Sequence, residues 1–198
     1  MRLVLATRNA GKIEELRRIL ASAMDIEVIG LDEYPDAPDV PETELTFAGN
    51  ALLKARAIAA HAELPAVADD SGLCVDALNG MPGVFSARWA GRHGDDLANL
   101  ELLLAQLSDV PAEYRGAHFA CVAAVALPSG VEKTVEGRID GRVIDAPRGT
   151  GGFGYDPIFV PDGESRTTAE MAPAEKDAIS HRGRAFRALA KTLPDLIS

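Results

Sequence analysis

Two adjacent carboxylates, Asp69 and Asp70, follow the short apolar run 66–68 and precede Ser71 and Gly72. The pattern predicts a buried strand that ends at the two acids. Carboxylates side by side repel each other unless a cation lies near them. Oxygen ligands of this kind suit Mg²⁺, which binds through one or two carboxylates and keeps positions open for substrate phosphates. The alternative, common for so short a motif, is that both acids cap the next segment and face water.

A polar loop at residues 7–12 lies between the apolar run 3–6 and a segment whose apolar residues recur at helical spacing. The sequence therefore predicts a strand, a loop and a helix N-terminus, where free N–H groups favour a phosphate. It lacks the glycine spacing and the Ser or Thr of a Walker-type loop. A plain helix start with a solvated lysine is the alternative. The loop consists of Thr7, Arg8, Asn9, Ala10, Gly11 and Lys12.

A long helix is predicted from residue 46 to about residue 63, with an apolar face. Asn50 and Lys54 share one side of it, and both can point toward the strand with the two acids. A solvent-facing pair is the alternative. Gly49 inside the helix costs about 1 kcal/mol relative to alanine, which indicates close packing or a missing side chain. Glu42 and Glu44, just before this helix, are the acids best placed to help hold a metal.

The glycine-rich stretch 149–157 matches the spacing G-x-G-x-x-G, but a turn and the apolar run 158–160 follow it. A dinucleotide site needs a helix at that point, so we exclude it. What remains is a flexible loop holding Phe153 and Tyr155, suited to close approach of a base or ribose.

Three cations, Lys176, His181 and Arg182, lie near the predicted start of the last helix. Cations at a helix N-terminus oppose the helix dipole, so an anionic or carbonyl-bearing ligand would offset the mismatch. An exposed basic patch is the alternative.

The remaining pattern predicts strands at 26–29, 73–75, 115–127, 131–139 and 141–144, and a helix at 95–107. The net charge of −10 over 198 residues argues against nonspecific nucleic-acid binding. Two distant cysteines suit reduced thiols in the cytoplasm. The chain shows no secretory signal, and its longest apolar run, 119–128, is too short to span a membrane. We therefore expect a cytoplasmic protein.

Four stretches occur in order along the chain: the loop 7–12, Asp69-Asp70-Ser71-Gly72, Phe153-Gly154-Tyr155-Asp156 and Ser180-His181-Arg182-Gly183. Together they resemble the inosine triphosphate pyrophosphatase family, whose bacterial members are called dITP/XTP pyrophosphatases. The resemblance implies an α/β fold, elongated and two-lobed, with a central mixed twisted sheet flanked by helices and an active-site cleft between the lobes. Residues 1–198 would form one such domain. It also implies a homodimer, Mg²⁺ as cofactor, and cleavage of dITP, ITP, XTP and dXTP to the monophosphate and pyrophosphate.

The resemblance also assigns roles to residues. Asp70 would be the proton acceptor and a metal ligand, with Glu42 or Asp69 as a further ligand. The loop 7–12 would hold the triphosphate, and Ser71 would contact the substrate. Gly49 departs from the pattern, since many members carry Glu before the Asn-Ala pair. The base and sugar would be lined by Phe153, Gly154, Tyr155 and Asp156, and the 6-keto group would be recognised by Lys176, His181 and Arg182.

Two other functions are compatible with parts of the pattern. A Maf-type pyrophosphatase for modified pyrimidine nucleotides resembles this fold, but the cluster 180–182 speaks against it. A nucleotide-binding regulator without catalysis would keep the pocket, but the presence of Asp69, Asp70 and Lys12 together disfavours it. We therefore expect a metal-dependent nucleotide pyrophosphatase.

Overall fold

The computed structural model describes residues 2–23 and 27–197. These residues form strands and helices joined by loops and several short 3₁₀ turns. The strands are β1 (Arg2–Leu5), β2 (Glu27–Ile29), β3 (Ala66–Val75), β4 (Met81–Pro82), β5 (Gly116–Ala126), β6 (Glu132–Val143) and β7 (Phe159–Pro161). The helices are α1 (Ala10–Ala23), α2 (Phe47–Ala62), α3 (Asp96–Gln106), α4 (Pro173–Ile179) and α5 (His181–Ile197).

One mixed sheet contains all of these strands, in the order β2-β1-β3-β5-β6-β7, with β4 paired to β3. β1 runs parallel to both β2 and β3, with Leu5 opposite Val67. β4 is antiparallel to β3, and β7 is antiparallel to β6. The predicted α/β class with a mixed sheet is confirmed. Ile26, predicted as part of β2, lies outside the described residues.

The chain divides into two compact units, of which the first comprises residues 1–70, 121–137 and 181–198. In this unit α2 covers one face of the sheet, packing on Val4, Ala66 and Ala68. α1 and α5 cover the other face, where Leu5 and Val67 point. Successive strand residues alternate between faces, so both faces of β1 and β3 are buried. That is why these runs are apolar at every position rather than at every second one.

The second unit comprises residues 71–120 and 138–180. Its core contains Leu73, Leu103 and Ile158, and Phe119 meets Phe159 edge to face at 4.7 Å between ring centroids. The predicted helix at 95–107 is confirmed as α3, capped by the Asp95 carboxylate, which accepts a hydrogen bond from the Ala98 N–H.

β3 corrects the prediction of a strand that ends at the two acids and a separate strand at 73–75. The strand runs without a break through Asp69 and Asp70, which are 2% and 4% exposed. Acidic residues usually mark a strand end because water must solvate them. Here charged and polar side chains of the protein solvate both, so the strand continues.

β6 is also one strand where two were predicted, at 131–139 and 141–144. Gly141 lies inside this strand and does not interrupt it. A Cβ at this position would overlap the Val160 carbonyl oxygen of β7. The glycine therefore permits a close approach of two strands rather than a turn.

The C-terminal region contains two helices rather than the one predicted. Lys176 lies in α4, Ser180 follows that helix, and His181 and Arg182 open α5. Lys176 is thus not at the start of the last helix, as we had placed it. Within the described ranges, no helix is long and apolar enough to cross a bilayer.

Candidate active site

Asp69 and Asp70 point to opposite faces of β3. Asp69 lies on the face of Val67, toward α1 and α5, and Asp70 on the face of Ala68, toward α2. The period of two residues in a strand imposes this separation. Each carboxylate consequently has its own cations, which relieve the repulsion: Lys12 and Arg182 lie beside Asp69, and Lys54 lies beside Asp70.

Asp69 belongs to a buried chain of alternating charges. Its Oδ2 accepts from Lys12 Nζ at 3.0 Å and from Arg182 Nε at 3.2 Å, and the other end of the Arg182 guanidinium donates to Glu15. Glu15, Asp69 and Arg182 are each 2% exposed. Burial raises the pKa of Asp69, but the charges of Lys12 and Arg182 outweigh it and hold that pKa well below its usual range. Asp69 is therefore an anion in this protein.

Arg182 carries its own counter-ions. Burial lowers its pKa, but Glu15 and Asp69 raise that pKa above its ordinary value, so the guanidinium stays charged. The offset that we had expected from a ligand is supplied for Arg182 by these two acids. Sequence reasoning missed Glu15. Its spacing from Leu16 and Ile19 places it on the apolar side of α1, and an acid on that side was a signal of a buried partner.

The loop 7–12 leads into α1 as predicted, and Asn9 caps the helix. The Asn9 side-chain oxygen accepts from the Lys12 N–H at 3.0 Å, and the Thr7 hydroxyl accepts from the Asn9 N–H at 3.2 Å. Ala10, Gly11 and Lys12 form the first turn of α1, at the positive end of its dipole. The Arg8 guanidinium is directed at the segment between β2 and α2, where it donates to the Ala37 carbonyl at 3.0 Å.

Asp70 is held by α2. The Asn50 amide donates to Asp70 Oδ2 at 3.0 Å, and Lys54 Nζ lies 3.6 Å from Asp70 Oδ1. Lys54 also donates to Glu42 at 2.9 Å, so one ammonium joins two carboxylates. The prediction that Asn50 and Lys54 point together toward this strand is confirmed.

The pKa values of Asp70 and Lys54 are both shifted by burial and by the neighbouring charges. Burial raises the pKa of Asp70; Lys54 opposes that rise, and the negative charge of Glu42 adds to it, so the pKa ends above its ordinary value. Burial lowers the pKa of Lys54, but the negative charges of Asp70, Asp69 and Glu42 outweigh this effect, so the pKa ends above its ordinary value. Lys54 is therefore an ammonium, and Asp70 is the more basic of the two adjacent acids.

Gly49 is explained by packing. A Cβ there would lie 2.6 Å from Cβ of Glu44, whose backbone N–H donates to the Asn50 oxygen at 2.9 Å. The chain before α2 thus crosses over residue 49. Within the described residues, no three His, Cys, Asp or Glu side chains come together as a metal-binding group. Glu42 and Asp70 are two carboxylates that converge on one ammonium, that of Lys54.

The second unit presents a separate polar centre around Asp156, which is 3% exposed. Its Oδ2 accepts from Lys176 Nζ at 2.6 Å and from the Phe153 N–H at 2.8 Å. Its Oδ1 accepts from the Thr168 hydroxyl at 2.8 Å. The Lys176 ammonium also lies 5.1 Å from the centroid of the Phe153 ring. Asp156 was predicted to contact substrate, but both of its carboxylate oxygens accept hydrogen bonds from groups of the protein.

The rest of this loop is anchored on the same unit. The Tyr155 hydroxyl donates to the Ser86 carbonyl at 2.9 Å, and burial raises its pKa. The Gly154 N–H donates to Asp96 at 2.9 Å. Phe153 stays partly exposed, as does Ser71, which follows Asp70 in β3. His181 is 5% exposed at the start of α5.

The fold is that of an α/β protein, in which the N-terminus of α1 carries Lys12 and favours an anion, and the raised pKa of Asp70 marks a candidate functional site. A model of the Ham1 family matches residues 3–192, and this chain belongs to that family. A dITP/XTP pyrophosphatase of Streptomyces coelicolor is 66% identical, covering 99% of this chain and 98% of its own. One of Streptomyces avermitilis is 64% identical over the same shares.

Solved structures agree with these relatives. A nucleoside-triphosphatase / dITP/XTP pyrophosphatase from Mycobacterium abscessus superimposes with a TM-score of 0.77 at 56% identity, covering 96% of this chain and 98% of its own. A HAM1 protein from Coxiella burnetii gives 0.88 at 41% identity, covering 98% and 99%. The family resemblance found in the sequence motifs is confirmed.

Proposed function

We propose that this protein hydrolyses non-standard purine nucleoside triphosphates, dITP, ITP, XTP and dXTP, to the monophosphate and pyrophosphate. The observation that carries the proposal is the full-length similarity, at 66% and 64% identity, to relatives named dITP/XTP pyrophosphatase. The protein is then a hydrolase of phosphoric anhydrides that clears such nucleotides from the pool.

Asp70 is the group we assign to the attacking water at the α-phosphate. A general base must accept a proton near neutral pH, and a raised pKa makes a carboxylate better suited to that task. Asn50 donates to one carboxylate oxygen and the Lys54 ammonium lies 3.6 Å from the other, so Asp70 is oriented before substrate arrives. Phosphoryl transfer requires mainly such positioning and charge neutralisation.

The residues around Lys54 fit a divalent metal. Glu42 and Asp70 offer hard oxygen donors, and their convergence on one ammonium supports a shared cation position. We assign Mg²⁺ to Asp70 and Glu42; when bound, it would neutralise phosphate charge and polarise the anhydride. Asp69 stays a prediction as a ligand, and its carboxylate is already held by Lys12 and Arg182.

The triphosphate is assigned to the loop 7–12. Lys12 brings a positive charge and the start of α1 brings N–H groups, and both favour an anion. The Lys12 side chain is 17% exposed while its ammonium is held by Asp69. Its charge is thereby fixed in place rather than left on a flexible chain.

The base is assigned to Phe153 and Lys176, together with Gly154, Tyr155, His181 and Arg182. A keto oxygen at purine C6 accepts a hydrogen bond from a cationic donor. An adenine amino group there would leave that donor unpaired, which costs affinity. Lys176, held by Asp156 next to the Phe153 ring, supports this assignment.

A panel of dITP, XTP, ITP, dGTP, ATP and dUTP with Mg²⁺, assayed for pyrophosphate, tests the proposal. We expect strong release from the first three and little from ATP. Comparable release from ATP would remove the selectivity, and preferred release from dUTP would favour a pyrimidine-directed enzyme. Binding of ITP without any turnover would favour a regulator. The homodimer and the cytoplasmic location stay predictions, the first open to a sedimentation measurement.

A further inference from the structure

Both oxygens of the Asp156 carboxylate accept hydrogen bonds, but only the partners of Oδ2 belong to the proposed base site. Oδ2 receives the Lys176 ammonium and the Phe153 N–H. Oδ1 receives the Thr168 hydroxyl at 2.8 Å. Thr168 is 3% exposed, and its hydroxyl lies 2.8 Å from Asp156 Oδ1 and 3.2 Å from the Asp156 carbonyl oxygen. The Thr168 hydroxyl is therefore connected to that site through Asp156.

We propose that Thr168 is a positioning residue for purine selectivity: its hydroxyl fixes the plane of the Asp156 carboxylate, and thereby the Lys176 ammonium that distinguishes a 6-keto from a 6-amino purine. The inference rests on the proposed function, which assigns Lys176 to the base. The terminal torsion of an aspartate is broad, so a carboxylate held at one oxygen can rotate. A bond to the second oxygen removes that freedom.

Thr168 is itself held independently of any ligand. It begins a 3₁₀ turn, Thr168–Glu170, whose N-cap residue is Thr167. The Thr167 N–H donates to Glu170 at 2.7 Å, and the Thr167 hydroxyl donates to the Arg148 carbonyl at 2.8 Å. The Gly151 N–H reaches the Ala169 carbonyl at 3.0 Å. A side chain supported in this way is a fixed reference point for its partner.

The glycine loop closes over the same carboxylate. Gly152 has a positive φ of 71°, and a Cβ there would overlap Asp156 Oδ2. The backbone thus lies against the oxygen that holds Lys176. A rotated carboxylate would disturb the Phe153 N–H bond and the ammonium together, so both groups assigned to the base depend on the Thr168 bond.

The selectivity consequence follows from charge. An ammonium offers donors to a keto oxygen but only repulsion to the N–H groups of an amino substituent. Its discriminating power depends on its staying at one place, because a mobile lysine can retreat from the unfavourable group. Loss of the Thr168 hydroxyl is therefore expected to weaken use of ITP more than use of ATP.

The test compares Thr168→Val, which is nearly isosteric but lacks the hydroxyl, with Thr168→Ser, which keeps it. We expect kcat/KM for ITP to fall about tenfold in Thr168→Val, mainly through KM, since a lost bond to a charged group has that size. The value for ATP should change little, so the ITP/ATP ratio falls. Thr168→Ser should restore the wild-type ratio. Thr168→Ala provides a second variant without the hydroxyl if the valine does not fold.

Thr192→Val is the matched control, since it removes a hydroxyl bond to the Leu189 carbonyl in α5 and leaves the turn that holds Thr168 intact. It should keep the wild-type ITP/ATP ratio. An unchanged ratio in folded Thr168→Val or Thr168→Ala would overturn the inference, as would equal losses for ITP and ATP or a serine variant that fails to restore the ratio. A wild-type enzyme that does not distinguish ITP from ATP would instead overturn the proposed function.

Discussion

Asp69 and Asp70 are neighbours in β3, yet their carboxylates lie on opposite faces of the sheet and have opposite electrostatic fates. Two cations hold the pKa of Asp69 low, while burial and Glu42 hold that of Asp70 high despite Lys54. The strand geometry therefore separates a structural anion from a basic carboxylate within two residues. Fixing Asp69 between Lys12 and Arg182 also fixes the backbone from which Asp70 projects.

The first prediction contrasts these two acids. Asp70→Asn should reduce turnover of ITP by about 10²-fold or more, because it removes the proton acceptor, with little loss of stability. Asp69→Asn should destabilise the fold by about 3 kcal/mol or more, since Lys12 and Arg182 would face a neutral amide. Pyrophosphate release and urea unfolding of both variants measure the two effects. Near-normal turnover of Asp70→Asn would contradict its assigned role.

Local patterns were enough for several elements of this fold. The apolar face of α2 and the Asp95 cap of α3 are encoded by nearby residues, and both helices were predicted. For β3 the two ends were predicted but not the continuous strand, because its continuity depends on Arg182, which lies 113 residues from Asp69 in sequence. A strand interior with two acids is stable only with those distant cations, and no local pattern reveals them.

The site residues divide in the same way. Asp70, Lys12 and the Asn50–Lys54 face were identified because residue type and spacing suffice to suggest them. Glu15 and Thr168 were missed, since each acts on another side chain rather than on solvent or ligand. Arg182 and Asp156 were themselves predicted as site residues, but their pairing with Glu15 and Thr168 becomes visible only in the folded structure.

The second prediction concerns Glu15. Glu15→Gln leaves the Arg182 guanidinium with one buried counter-ion instead of two, so the free energy of unfolding should fall by about 3 kcal/mol. Glu14→Gln is the matched control, because Glu14 is exposed on the same helix and should change stability by no more than about 0.5 kcal/mol. Urea unfolding monitored by circular dichroism makes the comparison. Equal stability of the two variants would show that the Glu15 bond contributes nothing.

The third prediction is a pH dependence of stability. A carboxyl whose pKa is higher in the folded state binds its proton more tightly there. Its contribution to stability is therefore present at low pH and lost as pH rises through the folded pKa. Asp70 acts in this direction above pH of about 4, whereas Asp69, with a lowered pKa, loses its contribution only as pH falls below that value.

Asp70→Asn isolates the Asp70 contribution. In metal-free buffer with a chelator, the stability of the variant relative to wild type should increase as pH rises from about 4 to 7. Urea unfolding at several pH values gives this difference directly, and the Glu14→Gln variant should show a difference that is flat with pH. A flat difference for Asp70→Asn would mean that its pKa is not raised by folding.

The fourth prediction concerns Lys54, whose ammonium joins Glu42 and Asp70. A divalent cation that binds this pair must compete with a charge already present. Lys54→Met removes the competitor and leaves two close carboxylates, so the metal-free protein should melt at a lower temperature. Mg²⁺ should then raise the melting temperature of Lys54→Met more than that of wild type, with an apparent affinity roughly tenfold tighter.

The control is Lys191→Met, which changes an exposed residue on α5 and should respond like wild type. A thermal shift series in Mg²⁺ measures this without reference to turnover. An identical response of Lys54→Met and wild type would place the metal away from Glu42 and Asp70.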